Sequence, residues 1–206
     1  MSISGISHRR RAPRGQGQLL REEIIAAAER LLIERGSQEA VSIRAIADAV
    51  GVTPPSIYMH FADKDELFFA VCDARFEQLA RLSNEAAAGA TGPVDELRRR
   101  GEAYIRFGLD NPEQYRILFL DASADTVTME EIAKWAALAD VVDAARRGID
   151  EGSIVAANPL LVALSLWATV HGLVSLRITK PGIPWPPDDE LTGYILENAL
   201  LGIAPR

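Results

Sequence analysis

Apolar residues recur along most of this chain at separations of three and four, the period of helices with one buried face. Leu20, Ile24, Ala27, Ala28, Leu31 and Leu32 predict a first helix over 19–35, stopped by Gly36. Ile46, Val50, Val52, Ile57 and Phe61 then fall on the inner sides of two short crossed helices. Ser42 and Thr53 are their expected N-caps, and Pro54 occupies the first helical position of the second, where a missing N–H does no harm. Ala47 is small enough for the helices to approach. Gly51 is free to take the positive φ that ends a helix before a tight turn.

Asp63, with Glu66 three residues on, predicts a capping box opening a longer helix to about residue 88, with Leu67, Phe68, Val71, Ala74, Phe76 and Leu79 inward. Further helices are expected over 93–110, from Pro112 after a cap at Asn111, over 126–150, over 159–179 after Asn158, and over 188–201. In the 126–150 segment Met129, Ile132, Trp135, Ala136, Leu138, Ala139 and Val142 point inward by period. The fold class is therefore all-α.

The segment 42–64 carries the chemistry. Thr53, Pro54, Pro55, Ser56, Tyr58, Met59 and His60 form the outward set of the second short helix, with Lys64 just beyond, and none suits a core. Hydroxyls, a histidine, a lysine and free N–H groups at a helix start fit phosphate oxygens. Ser56, Met59 and the proline rings can lie against base edges and thymine methyls. The spacing reads as a helix-turn-helix with a recognition helix over 53–61. A plain helical hairpin shares the spacing, but not the combination of small residues, two caps and an exposed polar and aromatic face.

With these residues in view, the stretch 21–71 resembles the DNA-binding domain of the TetR family of bacterial repressors. That resemblance implies phosphate contacts from Tyr58, His60 and Lys64, base contacts from Thr53, Pro54, Ser56 and Met59, and a place near the backbone for Ser42 and Arg44. Pro55 departs from the family pattern and removes a donor from the helix start. A shorter likeness, in NPEQYRILF and in WATVHGLVSL, is to the C-terminal domain of a TetR subgroup marked by Trp, His and Gly, here Trp167, His171 and Gly172.

The net charge of −7 would argue against a polyanionic partner if it were evenly spread. Residues 1–64 hold nine Lys or Arg against seven Asp or Glu, a balance of +2, so the remaining thirteen and twenty-two leave −9 in the rest. The basic excess sits with the expected DNA-binding part. Residues 1–18 lack periodicity and are expected to be disordered; Arg9, Arg10, Arg11 and Arg14 make them either a DNA-contacting arm or a solubilising tail.

Cys72 is the single cysteine, so no internal disulfide can form and a cytoplasmic location is expected, with Cys72 a small hydrophobe in a helix. The apolar run after Pro159 holds His171 and Gly172 and lacks flanking charge bias, so it reads as a buried helix rather than a membrane span. Because it is apolar nearly all round it needs cover on two sides, one of them from a second subunit. The stripe Leu191, Tyr194, Ile195, Asn198 and Leu201 of the last helix would pair with it in a four-helix bundle across a two-fold axis.

The organisation expected is a basic arm over 1–18, a three-helix DNA-binding domain over 19–64, and a larger ligand-binding and dimerisation bundle over 65–206. Tyr104, Phe107, Met129, Trp135, Trp167 and His171 are candidates for an apolar effector pocket, although His171 reads better as a hydrogen-bonded core or interface residue. An enzyme is not expected: His8, His60 and His171 fall in separate segments, the adjacent acidic pairs diverge on their helices, and no phosphate-binding glycine loop is present. A protein-binding helical adaptor is disfavoured by the basic, exposed recognition face. No cofactor or metal is called for. The partners expected are palindromic double-stranded DNA, an apolar or aromatic small molecule and a second copy of the chain, with no membrane.

Overall fold

The computed structural model describes residues 16–119, 136–155 and 157–205, and every element among them is helical. In chain order they are α1 (Gln16–Arg35), α2 (Ile43–Val50), α3 (Pro54–Tyr58), α4 (Lys64–Ala87), α5 (Pro93–Asp110), α6 (Pro112–Phe119), α7 (Ala136–Asp150), α8 (Pro159–Thr179) and α9 (Asp188–Leu201). Two units separate by internal packing, the first ending at Ala74 and the second beginning at Arg75, so the division falls within α4 rather than at its start.

The first unit is the three-helix arrangement that the periodicity requires. Ile24, Ala28, Val41, Ile46, Ala47 and Ile57 are fully buried and Phe61 nearly so, each large side chain contributing roughly 1.5–3 kcal/mol of hydrophobic stabilisation. Val50 and Val52 are half-buried, at the margin of this core. Ser42 caps α2, its hydroxyl accepting from Ala45 N at 3.2 Å, and Gly51 turns the chain at φ 77°. Asp63 caps α4 by accepting from Glu66 N at 2.8 Å, and the Glu66 carboxylate accepts from Ala62 N, completing the box one residue further out than the usual form.

Three local expectations are corrected. Helix α1 starts at Gln16, three residues before the expected start at 19; residues 1–15, with His8 and the four arginines, lie outside the described residues. The recognition helix is only Pro54–Tyr58, ending in a turn where His60 N and Phe61 N both donate to Ile57 O. Thr53 precedes it with cap-like backbone angles but no side-chain cap bond, because Pro54 and Pro55 remove N–H groups and Ser56 N donates to the Thr53 carbonyl.

The second unit is a bundle with two adjoining cores. Leu97, Ala144, Ala145, Ile154, Val162, Leu166 and Leu200 form one; Ile105, Tyr115, Val170, Leu173, Val174, Ile178 and Leu196 form the other. Helix α5 packs against α7, α8 and α9. Its close approach to α8 depends on Gly108, where a Cβ would stand 2.4 Å from Val174 Cγ1 and 3.0 Å from Tyr115 Cδ2. Asn158 caps α8 by accepting from Leu160 N at 2.9 Å. Helix α8 is long and apolar enough to span a membrane by composition alone, yet seven of its residues, Val162 to Ile178, are buried among neighbouring helices.

Asn111 does not cap α6 through its side chain; its Nδ2 turns back and donates to Phe107 O at 2.8 Å, closing α5. Ala139 is exposed rather than inward, since α7 turns Ala144 and Ala145 into the core. A Cβ at Gly172 would meet nothing within 4 Å, so that glycine brings no two helices of one chain together. The last-helix stripe is split: Leu191 and Ile195 are half-buried, while Tyr194, at 68 % exposure, and Leu201, at 64 %, face outward.

Candidate nucleic-acid interface and internal cavity

In the first unit, α2, the turn at Gly51 and α3 hold one outward face. Ser42, Arg44, Thr53, Pro55, Tyr58 and Met59 are exposed on it, Met59 to 84 %; Pro54, Ser56, His60 and Lys64 are half-buried. Burying Ile57 beneath α3 orients its neighbours: Tyr58 and Met59 are directed outward, as are residues at the helix start. The Thr53 and Ser56 hydroxyls are paired at 3.0 Å, and either can donate. His60 packs beside Phe61 with ring centroids 6.5 Å apart, and Lys64 lies over Phe68, its Nζ 5.7 Å from the ring centroid. Arg21 holds its guanidinium 5.0 Å over the opposite aromatic, Phe61. A short helix with hydroxyls near its start and an exposed thioether just past its end, flanked by a lysine and arginines, can lie in a groove of duplex DNA and meet both phosphates and base edges.

Cys72, half-buried on α4, carries a thiol pushed up to about 11, first by burial and then by the Asp73 and Glu29 carboxylates. It stays protonated at neutral pH and offers no nucleophile. Among the described residues no group of three or more His, Cys, Asp and Glu side chains could hold a metal ion.

The second unit holds a partly open cavity of about 70 Å³. Its wall is mainly apolar: Phe76 and Leu79 from α4, Leu138 and Val141 from α7, Val170 from α8 and Leu196 from α9 all face it. Its polar groups number four among the described residues: Ser83, Arg100, Tyr104 and Trp167. Trp167 Nε1 donates to the Tyr104 hydroxyl at 3.2 Å. That hydroxyl lies 3.2 Å from both the Tyr115 hydroxyl and His171 Nδ1, and the Tyr115 hydroxyl is 2.6 Å from the same nitrogen. Burial lowers the His171 pKa, so its imidazole is held neutral and Nδ1 can accept the Tyr115 proton. Burial likewise pushes Tyr104 up to about 12 and raises Tyr115 further, so both remain protonated donors.

Of the predicted pocket residues, Tyr104 and Trp167 line the cavity and His171 joins their hydrogen-bond cluster from behind. Phe107, 3 % exposed, is a core residue and not part of the wall. Met129 and Trp135 lie outside the described residues. Sequence reasoning overlooked Tyr115 and Arg100. Tyr115 sits in the NPEQYRILF stretch on the inner side of a short helix, a signal that was available; Arg100 lies in a run of three arginines that reads as a solvated face.

The family model described as bacterial regulatory proteins, tetR family, matches residues 24–71, and one described as tetracyclin repressor-like, C-terminal domain, matches 97–195. The Trp167, His171 and Gly172 signature falls within the second match. The HTH-type transcriptional activator FasR of Mycolicibacterium smegmatis is 31 % identical over 113 residues, 55 % of this chain and 50 % of that protein. The chain thus spans about half the length of this curated relative. A TetR family transcription regulator from Marinobacter aquaeolei VT8 shares the fold with a TM-score of 0.76 at 22 % identity, over 94 % of this chain and 100 % of its own. The transcriptional regulator FadR from Bacillus subtilis, solved in complex with stearoyl-CoA, does so with a TM-score of 0.75 at 18 % identity, over 88 % and 98 %.

Proposed function

Since this chain belongs to the tetR family of bacterial regulatory proteins, we propose that it is a cytoplasmic, sequence-specific DNA-binding regulator that grips a palindromic operator as a homodimer and is released by a small apolar effector. The observation that carries the DNA part is the face built by α2 and α3, where Thr53, Pro55, Tyr58 and Met59 project over a fully buried Ile57. Tyr58, His60 and Lys64 are assigned to phosphates, with Ser42 and Arg44 beside the backbone. Thr53, Pro54, Pro55, Ser56 and Met59 are assigned to the bases.

The dimer is supported by an apolar face that one chain leaves uncovered. Leu161, Leu176, Tyr194 and Leu201 are each at least 48 % exposed on α8 and α9, and Gly172 opens onto free space between Leu161 and Leu176 in sequence. A second copy placed across a two-fold axis would cover these side chains, and the missing Cβ of Gly172 would let its helix come close. The two reading heads would then sit about one helical turn of DNA (~34 Å) or a multiple apart.

The cavity supplies the effector site, and α4, which contributes Phe76, Leu79 and Ser83 to its wall and begins at Lys64 beside the recognition helix, is the lever. A ligand releases the DNA only if it binds the two spacings of the dimer unequally. Release on binding makes the protein a repressor wherever its operator overlaps a promoter. An activator is the second reading, favoured by the name of the Mycolicibacterium smegmatis relative.

The test is selection of bound sequences from a random duplex library at about 150 mM salt, where phosphate attraction alone no longer dominates. A palindromic consensus is expected, together with a dimer by sedimentation at micromolar concentration. Recovery of unspecific DNA only, or a monomer, would refute the reading, and a reporter with the operator placed before or over a promoter separates repression from activation.

A further inference from the structure

The chain has four sulfur-bearing side chains, Met1, Met59, Met129 and Cys72, and Met59 and Cys72 are the two among the described residues. Their surroundings are opposite. Cys72 is half-buried on α4, and burial together with the Asp73 and Glu29 carboxylates keeps it a thiol at neutral pH, whereas a peroxide reacts with the thiolate. Met59 is 84 % exposed, more than any other large apolar side chain among the described residues. A thioether has no proton to lose before it is oxidised, so access alone governs its reaction. The backbone holds it in that position. Met59 follows directly on α3, in the turn where His60 N and Phe61 N both donate to Ile57 O, and the space beneath is filled by the buried side chains of Ile57 and Phe61. The thioether therefore cannot withdraw into the core of the first unit and stays on the outward face of α2 and α3.

We propose that Met59 is an oxidation site, and that its conversion to methionine sulfoxide by hydrogen peroxide loosens the protein from its operator. The inference rests on the reading of this face as the DNA interface and adds a control to it. In the reaction the sulfur lone pair attacks one oxygen of the peroxide. The S–O bond forms as the O–O bond breaks, the sulfur gives up two electrons, and the second oxygen leaves with both protons as water. The product presents a polar S=O group where the base edges met an apolar sulfur. Against a thymine methyl that oxygen loses its hydration without finding a donor, which is unfavourable. In a homodimer the change is made in both half-sites. Bound DNA covers the sulfur, so the oxidation acts on the free protein and keeps it free.

The experiment treats the full chain with hydrogen peroxide, removes the excess with catalase, and reads Met59 and Cys72 by peptide mass spectrometry. Affinity for the consensus duplex recovered by the library selection is read by fluorescence anisotropy, and thermal unfolding reports that the fold is kept. Met59 is expected to gain one oxygen while Cys72 stays a thiol, and affinity to fall about tenfold or more. Methionine sulfoxide reductases, one for each sulfoxide epimer, should restore it. Met59→Leu should show the same affinity before and after peroxide, whatever its starting value, and Cys72→Ala should lose affinity as the unaltered protein does. Duplex bound beforehand should slow oxidation of Met59 about tenfold or more. Met59 left unoxidised, a loss that persists in Met59→Leu, or a loss abolished by Cys72→Ala would each overturn the proposal. Met59 that the duplex protects but whose oxidation leaves affinity unchanged would overturn it too, while the DNA reading stands. Met59 oxidised equally fast in the bound complex would sink its placement against the bases and the proposal with it. A library that returns no operator refutes the DNA reading itself, and the proposal falls with that reading.

Discussion

The outward face of α2 and α3 in the first unit and the hydrogen-bond cluster of the second use similar residue types, tyrosine and histidine, to opposite ends. Tyr58 is exposed and His60 half-buried on a face whose orientation is fixed from below by Ile57 and Phe61. Tyr104, Tyr115 and His171 saturate one another inside the bundle, and their polar atoms are no longer available to anything else. The difference teaches that exposure, more than residue identity, divides side chains open to an outside partner from those that tie the bundle together.

The largest effect that would sharpen this contrast is Tyr115→Ala. Tyr115 is fully buried, and its removal should destabilise the second unit by about 3–5 kcal/mol in denaturant unfolding. Unfolding at an unchanged midpoint would break the comparison. Next, Met59→Ala and Ser56→Ala should leave stability nearly untouched but change the preferred operator base at one position, by about 1–3 kcal/mol in competition binding. Smaller again, Tyr58→Phe or Lys64→Ala should weaken binding evenly across sequences, and Lys64→Ala should reduce the slope of log affinity against log salt by about 1. If all four changes altered affinity equally for every sequence, the assignment of base-reading and phosphate-holding roles would fail.

The smallest effect is one of pH. The folded-state pKa of His171 is depressed by burial below its unfolded value of about 6.5, so the unfolded state takes up the proton first. The stability this gives is present above about pH 6.5 and is lost as pH falls through the folded value. Protonation also turns Nδ1 from acceptor to donor against the Tyr115 hydroxyl. His171→Gln should flatten this part of the stability profile, and a profile unchanged by that substitution would show that His171 carries no such linkage.

How much of this was legible in the sequence follows from how local each signal is. Ser42, Gly51, Asp63 with Glu66, and Asn158 act on backbone within a few residues, and each does what its position announces. Thr53 and Asn111 did not, because a second local option was available: Pro55 has no N–H to give the Thr53 side chain and Ser56 N donates to the Thr53 carbonyl, while the Phe107 carbonyl, which already accepts from Asn111 N, also takes the Asn111 side chain. Arg100 was illegible for a different reason. Ser83, Asn84 and Asp140 reach it from other helices, so no pattern within its own arginine run distinguishes it from Arg98 and Arg99, which bind Asp95 along the same helix. The cavity wall, drawn from six helices, is invisible to any periodicity.

The pair formed by Thr53 and Ser56 has a further consequence. Either hydroxyl can donate to the other, so by rotating their O–H bonds the same two side chains can turn an acceptor or a donor toward a base without any heavy atom moving. A reader of that kind tolerates substitution in the text it reads. The operator position opposite the pair should therefore be written with more than one letter, while the position under Met59, which has only one face to show, should be spelled a single way.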